Sequence, residues 1–332
     1  MSYRILLKIF LIFILSACQQ QTSYLKLNGF TMGTSYQITL QTTEKKANRL
    51  HQQIETKLKL INQLMSTYIS DSELSKFNRS TSLECQTISD ETYYVIENAL
   101  KVSEMTRGKF DVTLAPLISE WGFDNKQTND LIPSETRIKE LLRQTGYKNV
   151  YLGKQCIQKR HQNISINLSA IAKGFGVDQI SKFLSTNGIQ NYLVEIGGET
   201  ASKGVNSRAT PWRLAIEAPI EQKRQIQQVF TPLGLGVATS GDYRNYFEKN
   251  GKKFSHTIDP ITGEPITHQL ISVTVLHKQT MLADAFATAF MVMGVEDSLS
   301  FAEKHKLTIY LLIKKGDGFK TIYTESFRKH LL

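Results

Sequence analysis

One segment near the end of the chain constrains the fold most, because it is almost wholly apolar yet carries two oxygen-bearing side chains. Residues 281–290 predict a mostly apolar helix, and residues four apart are neighbours on a helix face. Asp284 and Thr288 therefore direct a carboxylate and a hydroxyl to one spot. Magnesium favours such a set, with waters and substrate phosphates completing its octahedron. An amphipathic helix with a solvated Asp and a Thr bonded to its own backbone fits the same pattern.

The start of the chain predicts export. Arg4 and Lys8 accompany a short apolar run that ends at Ser16-Ala17-Cys18. A basic region, a short apolar region and small residues form a secretory signal, and the run is shorter than the roughly 20 residues that cross a bilayer. A small residue before Cys18 and Leu15 three before it resemble a bacterial lipoprotein processing site. This implies cleavage before Cys18 and lipidation of its sulfur, whereas the alternative is an ordinary secretory signal with an incidental cysteine.

These features divide the chain into three parts. We expect a signal peptide over residues 1–17, a lipidated cysteine with a polar tether over 18–27, and a folded remainder over 28–332. The remainder is long enough for a large core, in one domain or in two intimately packed lobes.

The charge of the chain argues against one class of partner. Loss of residues 1–17 removes two basic residues and no acidic one, so the formal charge falls from +10 to +8. The basic residues are spread widely and form no stripe interleaved with aromatic side chains, which excludes nucleic acid as an expected partner. An anionic membrane surface and an anionic ligand fit this charge better.

Two cysteines remain after Cys18. Cys85 and Cys156 can pair in an oxidising compartment, although the sequence does not reveal their separation in space. Two cysteines without a nearby His or Asp do not make a zinc site.

Periodicity and capping residues predict an α+β fold of mixed sheets with packed helices. Residues 44–65 carry an apolar stripe at helical spacing, Ser89 caps a helix that runs to Gly108, residues 133–146 hold a third helix and residues 172–188 a fourth. Strands are predicted at 36–40, 164–168, 192–196, 212–217, 271–276 and 307–313. The helices and strands do not alternate strictly, which disfavours a doubly wound sheet.

A turn in the middle of the chain has the character of a ligand-binding segment. Residues 167–176 follow a predicted strand and open a helix, where small residues permit close backbone approach and the helix start attracts phosphate. Lys173 adds a positive charge. The glycine spacing matches neither a Walker loop nor the dinucleotide fingerprint, and an ordinary strand-to-helix turn fits equally well. Further polar clusters at 195–199, 238–243 and 255–260 each end an apolar run.

Taken in order, these motifs resemble the FAD:protein FMN transferase family, the periplasmic lipoproteins called ApbE. The resemblance runs from residue 31 to residue 288, nearly the whole mature chain. The matching blocks are residues 31–34, 66–68, 72–78, 108–113, 116–117, 121–123, 169–175, 197–198, 239–243, 255–260 and 283–288.

The resemblance implies an ApbE-like catalytic domain over residues 28–332 and a specific reaction. Such enzymes split the pyrophosphate of FAD with magnesium, join FMN to a threonine hydroxyl of a target protein through a phosphoester, and release AMP. The resemblance places Mg²⁺ on Asp284, Thr288 and the backbone carbonyl of Ala170. It assigns FAD binding to Met32, Tyr68, Lys109, Phe110, Asp111, Asn167, Lys173 and Ile258.

The same resemblance implies partners and a location. The targets would be flavin-accepting subunits of membrane redox complexes, and the enzyme would be lipid-anchored on the periplasmic side of the inner membrane. The chain contains no Ser/Thr-Gly-Ala-Thr acceptor sequence, which indicates the modifying enzyme and not a flavinylated carrier.

Three points stay open at this level. His256 is the candidate general base because histidine is the side-chain type best suited to proton transfer at neutral pH, and Asp259 or Asp242 could orient it or replace it. Asn167 stands where the family usually carries Asp, so it keeps an acceptor and loses a charge. The alternatives to transfer are an FAD pyrophosphatase that yields FMN and AMP, and a flavin-binding lipoprotein without catalysis.

Overall fold

The computed structural model describes residues 22–124, 132–219, 225–242, 246–249, 252–316 and 318–332. The predicted α+β class is confirmed: one large sheet carries the helices, and three small sheets flank it. The predicted signal peptide and Cys18 lie outside the described residues. Within the described ranges, no helix combines the length and the apolar character needed to cross a membrane.

Nine α-helices lie in the described ranges, and four of them begin at a Ser or Thr whose hydroxyl accepts a backbone N–H. They are α1 Glu44–Met65, α2 Glu73–Arg79, α3 Asp90–Met105, α4 Ala115–Glu120, α5 Glu135–Leu142, α6 Ala172–Thr186, α7 Thr280–Met293, α8 Val295–His305 and α9 Glu325–Arg328, with a 3₁₀ turn at Tyr147–Asn149.

The large sheet has eight strands in the order β1-β2-β6-β7-β10-β13-β14-β15, and all of its ladders are antiparallel. Its strands are β1 Ser23–Thr31, β2 Thr34–Thr42, β6 Tyr192–Ile196, β7 Glu199–Lys203, β10 Gly236–Gly241, β13 Leu270–His277, β14 Thr308–Lys315 and β15 Gly318–Tyr323. The small sheets contain β3 Gln86–Thr87, β4 Val150–Gly153, β5 Cys156–Lys159, β8 Leu214–Glu217, β9 Ile226–Phe230, β11 Tyr246–Lys249 and β12 Lys252–Ser255.

The two largest hydrophobic clusters among the described residues attach most of the long helices to the sheet. One cluster joins α1 and α6 to β2 and β6, and the predicted stripe of α1 is its buried face. The other surrounds α7, whose apolar sequence is explained by contact with α3, β10, β13 and β14. Met32 contacts both clusters, so it lies where the two halves of the core meet. The helices predicted at 44–65, 89–108, 133–146 and 172–188 are confirmed as α1, α3, α5 and α6, with ends shifted by a few residues.

Two predictions about the chain path need correction. The segment 164–168 was predicted as a strand, but it joins no sheet among the described residues. Ile164, Ile166 and Leu168 are buried, so burial produces the alternating pattern without any ladder. The predicted tether over 18–27 also extends too far, because β1 begins at Ser23 and pairs along its whole length with β2.

The two cysteines that follow Cys18 in the sequence form a disulfide. Cys85 and Cys156 are bonded, with their Cα atoms 5.5 Å apart, and they fasten the segment before β3 to β5. Gly153 is required beside this bridge, because a Cβ there would come within 3 Å of both sulfurs, at 2.7 and 2.9 Å.

Close contact between α6 and α7 fixes the centre of the molecule. A Cβ on Gly174 would lie 2.5 Å from the Thr280 carbonyl oxygen and 2.7 Å from Met281 Cα, so only glycine permits this approach. The Asp178 carboxylate, one turn further along α6, accepts hydrogen bonds from the N–H groups of Thr280 and Met281 at 2.9 and 3.0 Å. It thereby caps α7, whose own N-cap residue provides no side-chain bond.

We expect Gly174→Ala to destabilise the protein by about 1 kcal/mol, the difference between the two effects below. Alanine is the better helix former by about 1 kcal/mol, but displacing packed backbone costs about 1–3 kcal/mol, and here the obstructing atoms are backbone. Urea unfolding measures the difference. Gly318→Ala is the control, because the nearest atom to its added Cβ is 3.8 Å away. Equal stability of the two variants would show that the α6–α7 contact is not tight.

Candidate active site

A large cavity opens where β7 and β10 meet the N-terminal turns of α6 and α7. Its volume is about 1370 Å³, above the roughly 300–1,000 Å³ typical of pockets for drug-sized ligands. The walls come from the β1–β2 turn, residues 109–112, the turn before α6, residues 256–258 and one face of α7. Segments far apart in sequence therefore converge on one space.

Asp284 is the buried acid of this cavity. Its side chain is only 4 % exposed, and its Oδ2 accepts the Gly174 N–H at 3.0 Å. Lys173 Nζ lies 3.7 Å from its other oxygen. Burial raises the pKa of Asp284, and the lysine opposes that shift. Thr288, one turn later, also faces the cavity, with its hydroxyl 3.3 Å from that of Ser240. The spacing of Asp284 and Thr288 thus brings both oxygens to the same wall.

Lys173 lies between two carboxylates. Its Nζ is 2.5 Å from Glu199 Oε1, closer than to Asp284. Burial alone would lower the pKa of Lys173, but Asp284 and Glu199 together outweigh burial and raise it, so the ammonium stays charged. Burial raises the pKa of Glu199 to about 7 despite the attraction of Lys173. Its second oxygen, Oε2, is buried and has no hydrogen-bond partner among the residues that the structure describes.

Glu199 was not among the residues assigned to the site from sequence. The available signal was its position directly after Gly197-Gly198, at the end of a strand. Both glycines have positive φ, 62° and 108°, and they turn the chain from β6 into β7. That turn places Glu199 beside Lys173.

The oxygen atoms on the wall that contains Asp284 and Thr288 are suitable ligands for a hard cation. A carboxylate and a hydroxyl line the same cavity as Ala170, and oxygen ligands of this kind are the ones magnesium prefers. No three His, Cys, Asp or Glu side chains converge into a metal-binding group within the described ranges. The arrangement therefore fits an ion held by few protein oxygens, and not a closed structural zinc site.

Lys109, Phe110 and Asp111 form a further part of the cavity wall. Lys109 Nζ donates to Asp259 Oδ2 at 3.0 Å, while Asp259 Oδ1 accepts the Ile261 N–H at 2.8 Å. Asp259 is thus held in its own turn and by Lys109. Asp111 accepts the N–H of Thr113 and of Tyr147, both at 2.8 Å. Burial raises the pKa of Asp111 against these bonds.

His256, Ile258, Tyr68 and Asn167 also line the cavity. The His256 ring approaches the Phe123 ring edge-on, with the ring centroids 6.4 Å apart. Tyr68 is 65 % exposed, which places its phenol at the opening and not in the interior. Asn167 Oδ1 accepts the Ser169 N–H at 2.8 Å and so shapes the turn that leads to α6.

Three of the residues proposed from sequence are not among the described residues that line the cavity. Met32 packs into the core, while its neighbours Gly33 and Thr34 line the cavity instead. Asp242 follows the lining residue Gly241, and its N–H donates to the Ile271 carbonyl. Asp259 lies between lining residues, with its carboxylate bonded as described above.

Fold and cavity together define a class: an enzyme-like α+β protein with a deep polar cavity suited to a phosphate-bearing ligand and a divalent cation. The comparisons with known proteins make this specific. The chain matches the model of the ApbE family over residues 32–312, and it belongs to the ApbE family.

Its relatives are similar along nearly their whole length. The FAD:protein FMN transferase of Vibrio cholerae serotype O1 is 40% identical over 320 residues, which are 96% of each chain. That of Haemophilus influenzae is 40% identical over 95% of this chain and 94% of its own. The solved structure of the flavin transferase ApbE from Vibrio cholerae superposes with a TM-score of 0.87 at 38% identity, covering 93% of this chain and all of that one.

The raised pKa of Glu199 predicts a pH-dependent stability. Its native pKa of about 7 exceeds the ordinary 4.5, so the native state binds more protons between these values. The contribution of Glu199 to the free energy of unfolding is therefore fully present below pH 4.5 and is lost as the pH rises through about 7. Urea unfolding at several pH values should show a shallower decline for Glu199→Gln than for the wild type. Parallel pH profiles would contradict the assignment.

Proposed function

We propose that this protein is an FAD:protein FMN transferase that moves FMN from FAD to a threonine hydroxyl of a target protein, through a phosphoester bond, and releases AMP. The observation that carries the proposal is the wall formed by Asp284, Thr288 and Lys173 in a chain of the ApbE family. Relatives named FAD:protein FMN transferase match it over nearly their full length.

The proposal includes Mg²⁺, held by Asp284, Thr288 and the carbonyl of Ala170. When bound, such an ion neutralises charge on pyrophosphate oxygens during phosphoryl transfer. Lys173 provides a second positive charge from the protein itself. Its ammonium is fixed by Glu199 and Asp284, so its position and charge are set before the substrate arrives.

FAD would occupy the rest of the cavity. Lys109 and Phe110 lie on one wall, Asn167 and Ile258 on others, and Tyr68 at the opening can cover an aromatic ring. The volume of about 1370 Å³ exceeds the roughly 300–1,000 Å³ typical of pockets for drug-sized ligands, which supports a ligand as large as a dinucleotide. Met32 would act by anchoring the β1–β2 turn in the core and not by direct contact.

The proposal extends to location and partners. The disulfide between Cys85 and Cys156 supports an oxidising compartment, as does the predicted export signal. We infer a lipid anchor at Cys18, a position on the periplasmic side of the inner membrane, and targets among flavin-accepting subunits of membrane redox complexes.

The test uses residues 22–332 with FAD, Mg²⁺ and a small protein that carries a Ser-Gly-Ala-Thr acceptor. We expect in-gel flavin fluorescence on the acceptor, AMP in equal amount, and loss of both with EDTA. Asp284→Asn should lower the rate at least about 100-fold, because the metal charge acts in the transition state. Asp297→Asn, an exposed acid in the first turn of α8, is the matched control.

The two products separate the alternatives. AMP and free FMN without labelled acceptor would instead indicate an FAD pyrophosphatase. Bound FAD with neither product, and with unchanged affinity in Asp284→Asn, would indicate a flavin carrier.

His256 is our candidate for the base that accepts the threonine proton, because it lines the cavity and imidazole titrates near neutral pH. We expect His256→Ala to lower the transfer rate about 100-fold at saturating FAD, within the range of general-base effects, while the affinity for FAD stays the same. Single-turnover labelling measures the rate. A full rate in His256→Ala would remove His256 from this role.

A further inference from the structure

Asn78, at the end of α2, makes an unusual pair of hydrogen bonds across the chain. Its Nδ2 donates to the carbonyl of Ile166 at 2.8 Å, and its Oδ1 accepts the N–H of the same residue at 2.8 Å. One side chain thus satisfies both backbone groups of a residue 88 positions away, as a neighbouring strand would.

The segment that receives these bonds depends on them. Residues 164–168 join no sheet within the described ranges, although Ile164, Ile166 and Leu168 are buried. Buried backbone groups without partners are strongly unfavourable, so this segment needs bonds from elsewhere. Besides those from Asn78, the N–H of Asn167 donates to the Val112 carbonyl at 2.7 Å.

The cavity wall begins one residue after the Asn78 contact. Asn167 and Ala170 both line the cavity, and the Asn167 side chain closes the turn by accepting the Ser169 N–H. Any shift of Ile166 is therefore transmitted directly to the residues assigned to FAD and to the metal.

The helix that carries Asn78 is itself anchored at both ends. Near its start, the Ser72 and Ser75 hydroxyls donate to the Ser66 carbonyl at 2.5 and 3.1 Å, which holds the loop bearing Tyr68. At its end, the buried Lys159 ammonium donates to the carbonyls of Asn78 and Ser80 at 3.0 and 2.9 Å. Asn78 thus reaches Ile166 from a fixed support.

We propose that Asn78 is a positioning residue: its amide holds Ile166 and thereby sets the place of Asn167 and Ala170 for ligand binding. Asn78 does not line the cavity and acts only through this segment. The proposal rests on the proposed function in taking FAD as the ligand.

The first measurement is FAD affinity, by quenching of flavin fluorescence without acceptor, in wild type, Asn78→Ala and Asn191→Ala. Asn191 is the matched control: its amide also makes two hydrogen bonds, to Gln41 at 2.7 Å and from the Val205 N–H at 2.9 Å. It precedes β6, whose other end leads into the cavity. We expect Asn78→Ala to weaken FAD binding about tenfold, the equivalent of one lost buried hydrogen bond, and Asn191→Ala to leave it within twofold.

A conservative variant tests the hydrogen bonds themselves. In Asn78→Asp, the protonated acid can donate to the Ile166 carbonyl and accept its N–H, whereas the ionised form cannot donate. FAD affinity of Asn78→Asp relative to wild type should therefore recover as the pH falls toward about 4, the ordinary range of an Asp side chain. Asn78→Ala should show no such recovery.

Amide hydrogen exchange gives a readout that needs no ligand. Residues 164–170 should exchange faster in Asn78→Ala than in Asn191→Ala at equal global stability. Unchanged exchange there, or equal loss of FAD affinity in both alanine variants, would overturn the proposal. If the wild type binds FAD and transfers nothing, the proposed function fails while the role of Asn78 stands on affinity and exchange.

Discussion

The pairing of the buried Asp284 carboxylate with Gly174 and Lys173 is the interaction on which the rest of the site depends. An ionised acid can stay in the interior only when it is hydrogen-bonded and paired, and here the Gly174 N–H and the Lys173 ammonium serve those purposes. Both partners belong to the first turn of α6. The contact therefore requires α6 and α7 to touch at Gly174, where no larger residue fits. Asp178 reinforces the same junction by capping α7. The packing of two helices and the chemistry of the site are one arrangement.

The electrostatics of this junction explain why it suits a cation. Asp284 and Glu199 share the single ammonium of Lys173, and burial raises the pKa of both acids. A divalent ion near Asp284 would favour the ionised acid and offset the loss of its hydration. Lys173 stays charged throughout, because the two acids outweigh its own burial. The wall therefore combines a charged ammonium with buried carboxylate oxygens, the combination that the proposed phosphoryl transfer would use.

The sequence predicted the parts of this fold that are encoded locally. The apolar stripe of α1 and the Ser caps of α3 and α5 follow from residues close together in the sequence. These three helices are therefore confirmed, with ends that differ from the prediction by a few residues. The strand predicted at residues 164–168 is wrong. An alternating apolar pattern indicates that one face of the segment is buried, but it does not indicate which groups hydrogen-bond to the backbone. The bonding partner, Asn78, is 88 residues distant and uses its side chain. Glu199 was missed for a related reason: only the turn from β6 into β7 brings it to Lys173.

The turn that contains Asn167 needs a hydrogen-bond acceptor at this position and not a negative charge. Its side-chain oxygen accepts the Ser169 N–H, a bond that either Asn or Asp can make, so the shape of the turn needs an acceptor and no charge. What Asn gives up is one negative charge beside a cavity that already contains the buried acids Asp284 and Glu199. A carboxylate at position 167 would add one more acid to the cavity lining. The neutral amide keeps the hydrogen-bond acceptor of the turn without adding that charge.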